Sequence, residues 1–273
     1  MTDALVSSLS AWFAEGDVVV LTGAGVSTDS GIPAYRDEEG RWKQSAPMQF
    51  REFTGSALSR QRYWARSMVG WERMARARPN PAHEALAELE RRGHLRLLIT
   101  QNVDGLHSAA GSQNVVDLHG RLDRVICLDC KRVSARDQLQ ARLLADNPSF
   151  TGHSFAVRAD GDVELDVDYG RFQVAPCAAC GGMLKPDVVF FGENVPAPRV
   201  QTAMAALEGA RALVVVGSSL MVFSGFRFAR AAARLRVPIA VVNRGRTRAD
   251  ELSALRLDGN VGQLLEGALR AAS

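Results

Sequence analysis

Short, wholly apolar runs alternate along the chain with longer segments whose apolar residues recur every three to four positions. Runs that are apolar throughout are typical of parallel strands covered on both faces, and the periodic segments predict the helices that cover them. The pattern therefore predicts an α/β fold built on a doubly wound, parallel, Rossmann-like sheet. The predicted strands are residues 17–22, 95–100, 115–118, 188–191, 212–217 and 239–243.

The helix pattern is clearest in the stretch NPAHEALAELERRG. Asn80 can cap a helix there, Pro81 suits its first turn, and Gly93 can end it. Residues 41–71 contain aromatic residues but no strand pattern, which predicts loops and helices on one side of the sheet. The other predicted helices are residues 3–14, 134–145, 198–210, 224–236 and 262–271.

Residues 121–185 interrupt the alternation with two cysteine pairs, one predicted helix and a polar stretch. We predict a small zinc-binding module there, inserted into a Rossmann-like domain made of residues 1–120 and 186–273. That domain would include the segment 41–71, and its sheet would resume at Val188.

The four cysteines fall into two Cys-x-x-Cys pairs separated by 46 residues. Each pair can form a tight turn with both sulfur atoms facing one point, and two such turns form a tetrahedral cage for zinc. Because the protein would supply all four ligands, the metal would be structural. Two pairs in one insert disfavour a redox role, and the lack of a basic and aromatic patch disfavours a nucleic-acid finger. The predicted ligands are Cys127, Cys130, Cys177 and Cys180.

Charge and composition exclude several other classes. The net charge of +3 is small for 273 residues and the arginines are dispersed, so no nucleic-acid partner is expected. No apolar run approaches the roughly 18 residues of a membrane helix, and the N-terminal stretch lacks the basic lead of a targeting peptide. We therefore expect a soluble, cytoplasmic protein without a membrane partner, with a monomer as the default state.

Glycines and polar residues follow several of the predicted strands, where parallel sheets bind their ligands. The segments include GAGVSTDSGIPAYR, TQNVDGLH, DLHG, GSSLMV and VNRG. Any one of them alone could be only a turn, and a lone histidine more often hydrogen-bonds in a packed interior than catalyses. Together they place their polar groups at one rim of the sheet. Gly23 and Gly25 are expected to let the backbone approach a pyrophosphate at a helix N-terminus, where free N–H groups favour anions.

These segments, with KPDVVFFGE and the two cysteine pairs, resemble the sirtuins, a family of NAD-dependent protein deacylases. The resemblance runs from about residue 17 to about residue 265. Residues 60–71 and 224–228 are most similar to the class II branch, and within it to mitochondrial enzymes with lipoamidase, deacylase and ADP-ribosyltransferase activities. Tyr35 departs from the family's phenylalanine, but it keeps the ring and therefore the expected shielding role.

The resemblance implies that NAD is consumed beside one structural zinc. The acyl oxygen of a modified lysine attacks the ribose as nicotinamide leaves, and the products include free lysine and O-acyl-ADP-ribose. His119 matches the family's base, a role that suits an imidazole near neutral pH, and Asn102 is the second catalytic residue. Residues 29–42 would fold over the ribose as a lid. The implied NAD contacts are Gly23, Ala24, Gly25, Ser27, Asp29, Ile32, Tyr35, Arg36, Trp42, Gln101, Asn102, Val103, Asp104, Gly217, Ser218, Ser219, Asn243, Arg244, Gly245 and Val261.

The implied partner is an acylated lysine in a protein or peptide, which pairs as a strand with the enzyme backbone. Tyr63 and Arg66 are similar to a pair that grips acidic acyl groups in some sirtuins, although a solvated surface is the competing interpretation. Protein mono-ADP-ribosyl transfer and a non-catalytic NAD-binding zinc scaffold are the alternatives, whereas a dehydrogenase would need the missing GxGxxG motif. The implied peptide contacts are Val189, Phe190, Phe191, Gly192, Glu193 and residues 221–225.

Overall fold

A computed structural model describes residues 2–43, 47–151, 163 and 167–272. Its strands are β1 (Val18–Thr22), β2 (Leu95–Thr100), β3 (Val115–Asp117), β4 (Gly120–Cys127), β5 (Val133–Ala135), β6 (Leu184–Val188), β7 (Ala212–Val216), β8 (Ile239–Val242) and β9 (Leu255–Leu257). Its α-helices are α1 (Thr2–Ala14), α2 (Phe50–Gly55), α3 (Ala57–Arg76), α4 (Pro81–Arg91), α5 (Leu106–Ala109), α6 (Arg136–Asp146), α7 (Ala197–Glu208), α8 (Phe223–Leu235) and α9 (Val261–Ala271).

Six strands form one parallel sheet in the order β3-β2-β1-β7-β8-β9. Successive side chains of β1 enter different cores, because Val18 and Val20 pack with α1, α4 and α9, whereas Val19 and Leu21 pack with α7 and α8. Helices therefore cover both faces of the sheet, and all of β1, β7 and β8 is buried. The predicted doubly wound α/β fold is confirmed.

The predicted helices are present with ends shifted by no more than two residues. Asn80 accepts a hydrogen bond from the backbone N–H of Ala82 at 2.9 Å, and Pro81 is the first residue of α4, as expected. The segment 41–71 contributes α2 and much of α3, in agreement with its aromatic, strand-free pattern.

The predicted strand at residues 188–191 is wrong, as is the expectation that the central sheet resumes at Val188. The strand at this position, β6, covers Leu184–Val188 and pairs antiparallel with β4. It belongs to a second, three-stranded sheet in the order β5-β4-β6. The apolar run that follows forms a loop, with Phe190 packed against α2 and α3.

A third core joins this small sheet to the helices of segment 41–71. Trp64 and Met68 of α3 pack there with Val125 of β4 and with Leu139 and Leu143 of α6. The polar stretch at 147–170 lies partly outside the described residues, and the division into two domains stays a prediction. Of the described helices, none is both long and apolar enough to cross a membrane.

Candidate active site

A cavity of about 990 Å³ lies beyond the carboxyl ends of the central strands. Its walls come from the loops that follow β1, β2, β3, β6, β7 and β8 and from the start of α9. The predicted NAD contacts in these walls are Gly23, Ala24, Gly25, Asp29, Tyr35, Arg36, Trp42, Gln101, Asn102, Val103, Gly217, Ser218, Ser219, Asn243, Arg244 and Val261. His119, Tyr63, Arg66, Val189, Phe190, Phe191, Gly192 and Glu193 also line it.

The glycine loop after β1 packs closely against the loop after β7. A Cβ atom on Gly23 would lie 2.7 Å from Cβ of Ser218, and one on Gly25 would lie 2.8 Å from the carbonyl oxygen of Gly217. The Gly25 N–H donates to that carbonyl at 2.8 Å. The helices that follow are short 3₁₀ helices, at Ala24–Val26 and Thr28–Ser30, rather than α-helices, and the approach of a pyrophosphate to this loop stays a prediction. The glycines are required here by loop-to-loop contact.

Polar side chains form a connected floor under the cavity. Ser27 is buried and donates its hydroxyl to Oδ2 of Asp104 at 2.7 Å. Asn102 lines the cavity, and its amide donates to the Gly23 carbonyl at 3.1 Å and to Oγ of Ser27 at 3.0 Å. Burial raises the pKa of Asp104, although hydrogen bonds from Leu106 and Ser27 and the charge of Arg121 oppose the rise. These bonds fix the orientation of the Asn102 amide.

Four of the described NAD-contact candidates lie outside the cavity wall. Ser27 and Asp104 form the floor, Ile32 packs in a core with Leu106 and Met74, and Gly245 supports the lid. Their direct contact with NAD stays a prediction.

His83 supports the floor from below, a role that its sequence context does not reveal. Its Nδ1 accepts a hydrogen bond from the N–H of Asn80 at 3.3 Å, so Nε2 carries the proton and faces Oγ of Ser27 at 3.4 Å. The ring lies 4.8 Å from that of His107, which is also buried. Burial lowers the pKa of His83 to about 4, and burial together with the neighbouring His83 also lowers the pKa of His107 well below its usual value. Both rings are therefore neutral at pH 7.

His119 stands at the end of β3, between a buried leucine and Gly120. Gly120 has φ of +84°, and a Cβ there would overlap the carbonyl oxygen of Asp187 on β6, so only glycine allows β4 to begin so close. The carbonyl of His119 accepts the N–H of Val189 at 2.8 Å. The backbone of His119 is therefore anchored on both the central sheet and the small sheet.

The imidazole of His119 is neutral, with a defined proton position. Nδ1 lies 2.9 Å from the Gln101 carbonyl, which can only accept, so Nδ1 carries the proton and Nε2 carries the lone pair. Desolvation lowers the pKa of this ring, and the charges of Arg199 and Arg227 lower it further. The hydrogen bond to Gln101 acts in the opposite direction but does not cancel the fall. Nε2 lies 2.8 Å from Oγ of Ser224, a residue that the sequence did not assign to catalysis.

The predicted lid at residues 29–42 folds over the cavity on its own aromatic and cationic contacts. The guanidinium of Arg36 stacks on the Trp42 ring at 3.9 Å and donates to the Gly40 carbonyl at 2.7 Å. The Trp42 ring contacts Phe191 at 5.7 Å and Tyr35 at 6.2 Å between centroids. Arg36 therefore stabilises the lid, and its predicted contact with phosphate remains a prediction.

The lid is seated on the loop after β8. The carbonyl of Glu38 accepts the Arg246 N–H at 2.9 Å, and a Cβ atom on Gly245 would lie 2.5 Å from that carbonyl. Gly245 also has φ of +77°. Both constraints explain the glycine in VNRG by lid packing.

The predicted substrate residues lie in the parts of the cavity wall that come from α3 and from the loop after β6. Tyr63 packs edge-on against Phe53 and tilted against Phe190, each at 5.3 Å. Nε of Arg66 donates to the carbonyl of Val163. The Glu193 carboxylate accepts the Phe190 N–H at 2.8 Å and the ammonium of buried Lys185 at 2.9 Å. Glu193 therefore holds its own loop in shape beside the cavity.

The four cysteines form a cluster that fits a structural zinc ion. Their sulfur atoms all lie within 4.8 Å of one another, with Cys127–Cys180 at 3.6 Å and Cys130–Cys177 at 3.9 Å. A tetrahedral ion with Zn–S bonds of about 2.3 Å needs sulfur atoms about 3.8 Å apart. The Cys127 thiol comes from the last residue of β4, that of Cys130 from the turn after β4, and those of Cys177 and Cys180 from the turn before β6.

The turns that carry the sulfur atoms are matched in backbone conformation. Lys131 and Gly181, each four residues after the first cysteine of its pair, have φ of +61° and +74°. The Asp129 carboxylate accepts the Met183 N–H at 2.8 Å and joins the two turns. Asp129 also occupies the space that a side chain on Gly182 would fill.

The thiol pKa values show why this cluster suits a cation. Backbone N–H groups of Ala179 and Cys180 lower the pKa of Cys177 to about 7. The N–H of Gly182 also lowers that of Cys180, yet Cys130 and Cys127 raise it to about 12. Crowding with Cys127 and Cys130 therefore disfavours the thiolate of Cys180, and a cation such as zinc, which binds thiolates, would stabilise it.

Comparison with known proteins agrees with the site's geometry. The protein-family model described as the Sir2 family matches residues 23–224. An NAD-dependent protein deacetylase of Xanthomonas campestris pv. campestris (strain 8004) is 58% identical over 247 residues, which cover 90% of this chain and 84% of the relative.

Two solved structures share the whole architecture. One, from work on the mechanism and regulation of Sir2 enzymes, aligns with a TM-score of 0.78 and 29% identity over 99% of this chain and 98% of the other. The second, a Sir2–p53 peptide–NAD⁺ complex, aligns with a TM-score of 0.74 and 30% identity over 93% and 92%. The extent of these matches, together with the family model, shows that this chain belongs to the Sir2, or sirtuin, family.

Proposed function

We propose that this protein is an NAD-dependent protein-lysine deacylase. The observation that carries the proposal is the neutral His119 imidazole, whose basic Nε2 stands in the wall of a cavity built from strand-end loops. The Xanthomonas relative is named for this activity, and the solved Sir2 complex holds a peptide together with NAD⁺. The peptide is the kind of partner that we propose here.

The residues of the cavity have distinct proposed roles toward NAD. When bound, NAD supplies a ribose carbon that can exchange nicotinamide for the acyl oxygen of a modified lysine. The lid with Tyr35 and Trp42 would exclude water from that carbon, and Asn102 would present its fixed amide to the ribose. His119 would accept a proton at Nε2. The loop at residues 217–219 would contact phosphate or the adenosine ribose, and the loop at residues 243–245 would border the adenosine.

Product analysis tests the proposal directly. We expect the wild-type protein with NAD and an acetyl-lysine peptide to release nicotinamide, deacetylated peptide and O-acetyl-ADP-ribose in equal amounts, measured by mass spectrometry. ADP-ribose on an arginine or cysteine of the protein would instead support a mono-ADP-ribosyltransferase. Binding of NAD without turnover on a panel of acyl peptides would support a non-catalytic scaffold.

We also propose that the chain belongs to the class II branch and resembles the mitochondrial lipoamidase sirtuin. The stretch RQRYWARSMVGW in α3 and the stretch SGFRF in α8 support this assignment. Both stretches contribute side chains to the cavity, because Tyr63 and Arg66 lie in the first and Arg227 in the second. Including a lipoyl-lysine peptide in the panel tests the assignment.

We propose further that Tyr63 and Arg66 favour acidic acyl groups. Both line the same end of the cavity, and an arginine there can bind a carboxylate through two parallel hydrogen bonds. Arg66→Met should lower kcat/KM for a succinyl- or glutaryl-lysine peptide by about tenfold, the loss of a charge-assisted bond, and change that for an acetyl peptide little.

Arg76→Met is the matched control, because Arg76 is an exposed residue of the same helix that pairs with Glu72. It should leave both substrates unaffected. An equal loss on the acidic and acetyl peptides in Arg66→Met would show that Arg66 has no role in acyl selection.

A further inference from the structure

The His119 ring is held at both nitrogen atoms by different parts of the fold. Nδ1 donates to the carbonyl of Gln101, which follows β2, at 2.9 Å. Nε2 accepts the hydroxyl of Ser224, the second residue of α8, at 2.8 Å. Rotation of the ring about its Cβ–Cγ bond would break both hydrogen bonds, so together they define its orientation and its tautomer.

The sequence of α8 is adapted to this contact. Gly225 is buried, and a Cβ atom there would overlap the side-chain amide of Gln101. Only a glycine next to Ser224 therefore lets the first turn of α8 approach Gln101 and His119. The Gln101 amide is itself fixed, because its Nε2 donates to Oγ of Ser218 at 2.7 Å.

The charges around the ring agree with a neutral base. Arg199 of α7 and Arg227 of α8 both disfavour its protonation, and desolvation acts in the same direction. A ring that stays neutral needs a hydrogen-bond donor at its lone pair, and a hydroxyl supplies one.

We propose that Ser224 is a positioning residue for His119, which holds the ring so that the Nε2 lone pair, left free by the proton on Nδ1, stays at the cavity wall. The inference rests on the proposed deacylase function. When a substrate hydroxyl arrives, its proton joins Nε2 and the electron pair of the broken O–H bond stays on the substrate oxygen. The Ser224 hydroxyl then rotates from donor to acceptor and stabilises the new N–H group. No further reactant is needed.

Nitrogen NMR of the free, ¹⁵N-labelled protein tests the hydrogen bond between Ser224 and His119 without any ligand. In the wild type above pH 7 we expect His119 Nε2 to resonate as an unprotonated nitrogen that is shifted upfield by a hydrogen bond, with the proton on Nδ1. Ser224→Ala should lose the upfield shift, and Ser224→Thr, which keeps the hydroxyl, should retain it. A signal in Ser224→Ala identical to that of the wild type would overturn the proposal.

Steady-state kinetics supplies the second readout. Ser224→Ala should lower kcat by about two- to tenfold, the effect of one hydrogen bond, while KM for NAD stays unchanged and Ser224→Thr restores kcat. Ser8→Ala is the control, because Ser8 is an exposed residue of α1, and it should leave kcat unaltered. An unchanged kcat in Ser224→Ala would also overturn the proposal. Inactive wild-type protein would refute the deacylase function alone, since the NMR result does not depend on turnover.

Discussion

Replacing His119 by alanine is expected to lower kcat for deacylation by about two to four orders of magnitude, the range that positioned general bases contribute. The substitution removes Nε2, which carries the lone pair of the neutral ring at the cavity wall. The loss should appear in kcat, measured by nicotinamide release with an acetyl-lysine peptide at saturating NAD. Binding of NAD should survive, because the glycine loop, the lid and the loops after β7 and β8 do not depend on the imidazole.

The fold should tolerate the His119 substitution. The ring is half-buried at the cavity edge and belongs to none of the apolar cores. The melting temperature and the zinc content should therefore match those of the wild type. His94→Ala removes a half-buried imidazole that lies outside the cavity and should keep full activity. A His119→Ala protein that retained more than about a tenth of the wild-type kcat would contradict the assignment of the base.

The central sheet was predictable because each of its long strands is buried on both faces. The run VVVLT does not alternate between apolar and polar residues, which is typical of a parallel strand covered by helices on both faces. In the structure β1 lies between β2 and β7 and is buried throughout. The three-residue strand β9 was missed, because Leu255, Arg256 and Leu257 make too short a run to stand out. Its position at the edge of the sheet is set by pairing with β8 rather than by a sequence pattern.

The apolar run after Pro186 misled the prediction for a different reason. Two valines and two phenylalanines predict a strand, but β6 ends at Val188. The residues that follow form a loop, which the Glu193 carboxylate holds by accepting hydrogen bonds from Lys185 and from the Phe190 N–H. The choice depends on a buried ion pair and on an antiparallel partner, β4, that starts 64 residues earlier. Periodicity carries no information on either of these.

The residues at the rim of the sheet could be predicted from the sequence, but the hydrogen bonds between their side chains could not. The ends of parallel strands must meet on one side, so the convergence of Gln101, His119 and Ser218 on one cavity followed from topology. The bond from Ser224 to His119 joins residues 105 apart, and the bond from His83 to Ser27 joins residues 56 apart. Neither Ser224 nor His83 lies in a sequence motif from which its hydrogen-bond partner could be predicted. The clue to Ser224 was the adjoining Gly225, inside a helix where glycine is otherwise costly.

Removal of zinc is expected to unfold the small sheet and to reduce catalysis indirectly. Wild-type protein should bind one zinc ion per chain, and structural zinc sites of this kind contribute on the order of 10 kcal/mol to folding. Without the ion, the crowded thiols repel as they ionise, and the turns after β4 and before β6 lose their common anchor. Thermal unfolding with and without a strong chelator, under reducing conditions, should show a large fall in melting temperature.

The loss of activity should follow from the backbone path between the metal and the base. Cys127 is the last residue of β4 and pairs with Leu184 of β6. At the other end of the same two strands Gly120 pairs with Val188, and the next residue, Val189, donates its N–H to the His119 carbonyl. Hydrogen exchange should therefore rise first in residues 120–127 and 184–189, and remain low in β1 and β7. Cys127→Ser should reproduce the effect of the chelator, whereas Ala178→Ser, which adds a hydroxyl to the other exposed turn and keeps all four sulfur atoms, should not. A chelated protein with unchanged exchange in β4 and β6 would show that the cluster holds this region without metal, and that the base needs no support from it.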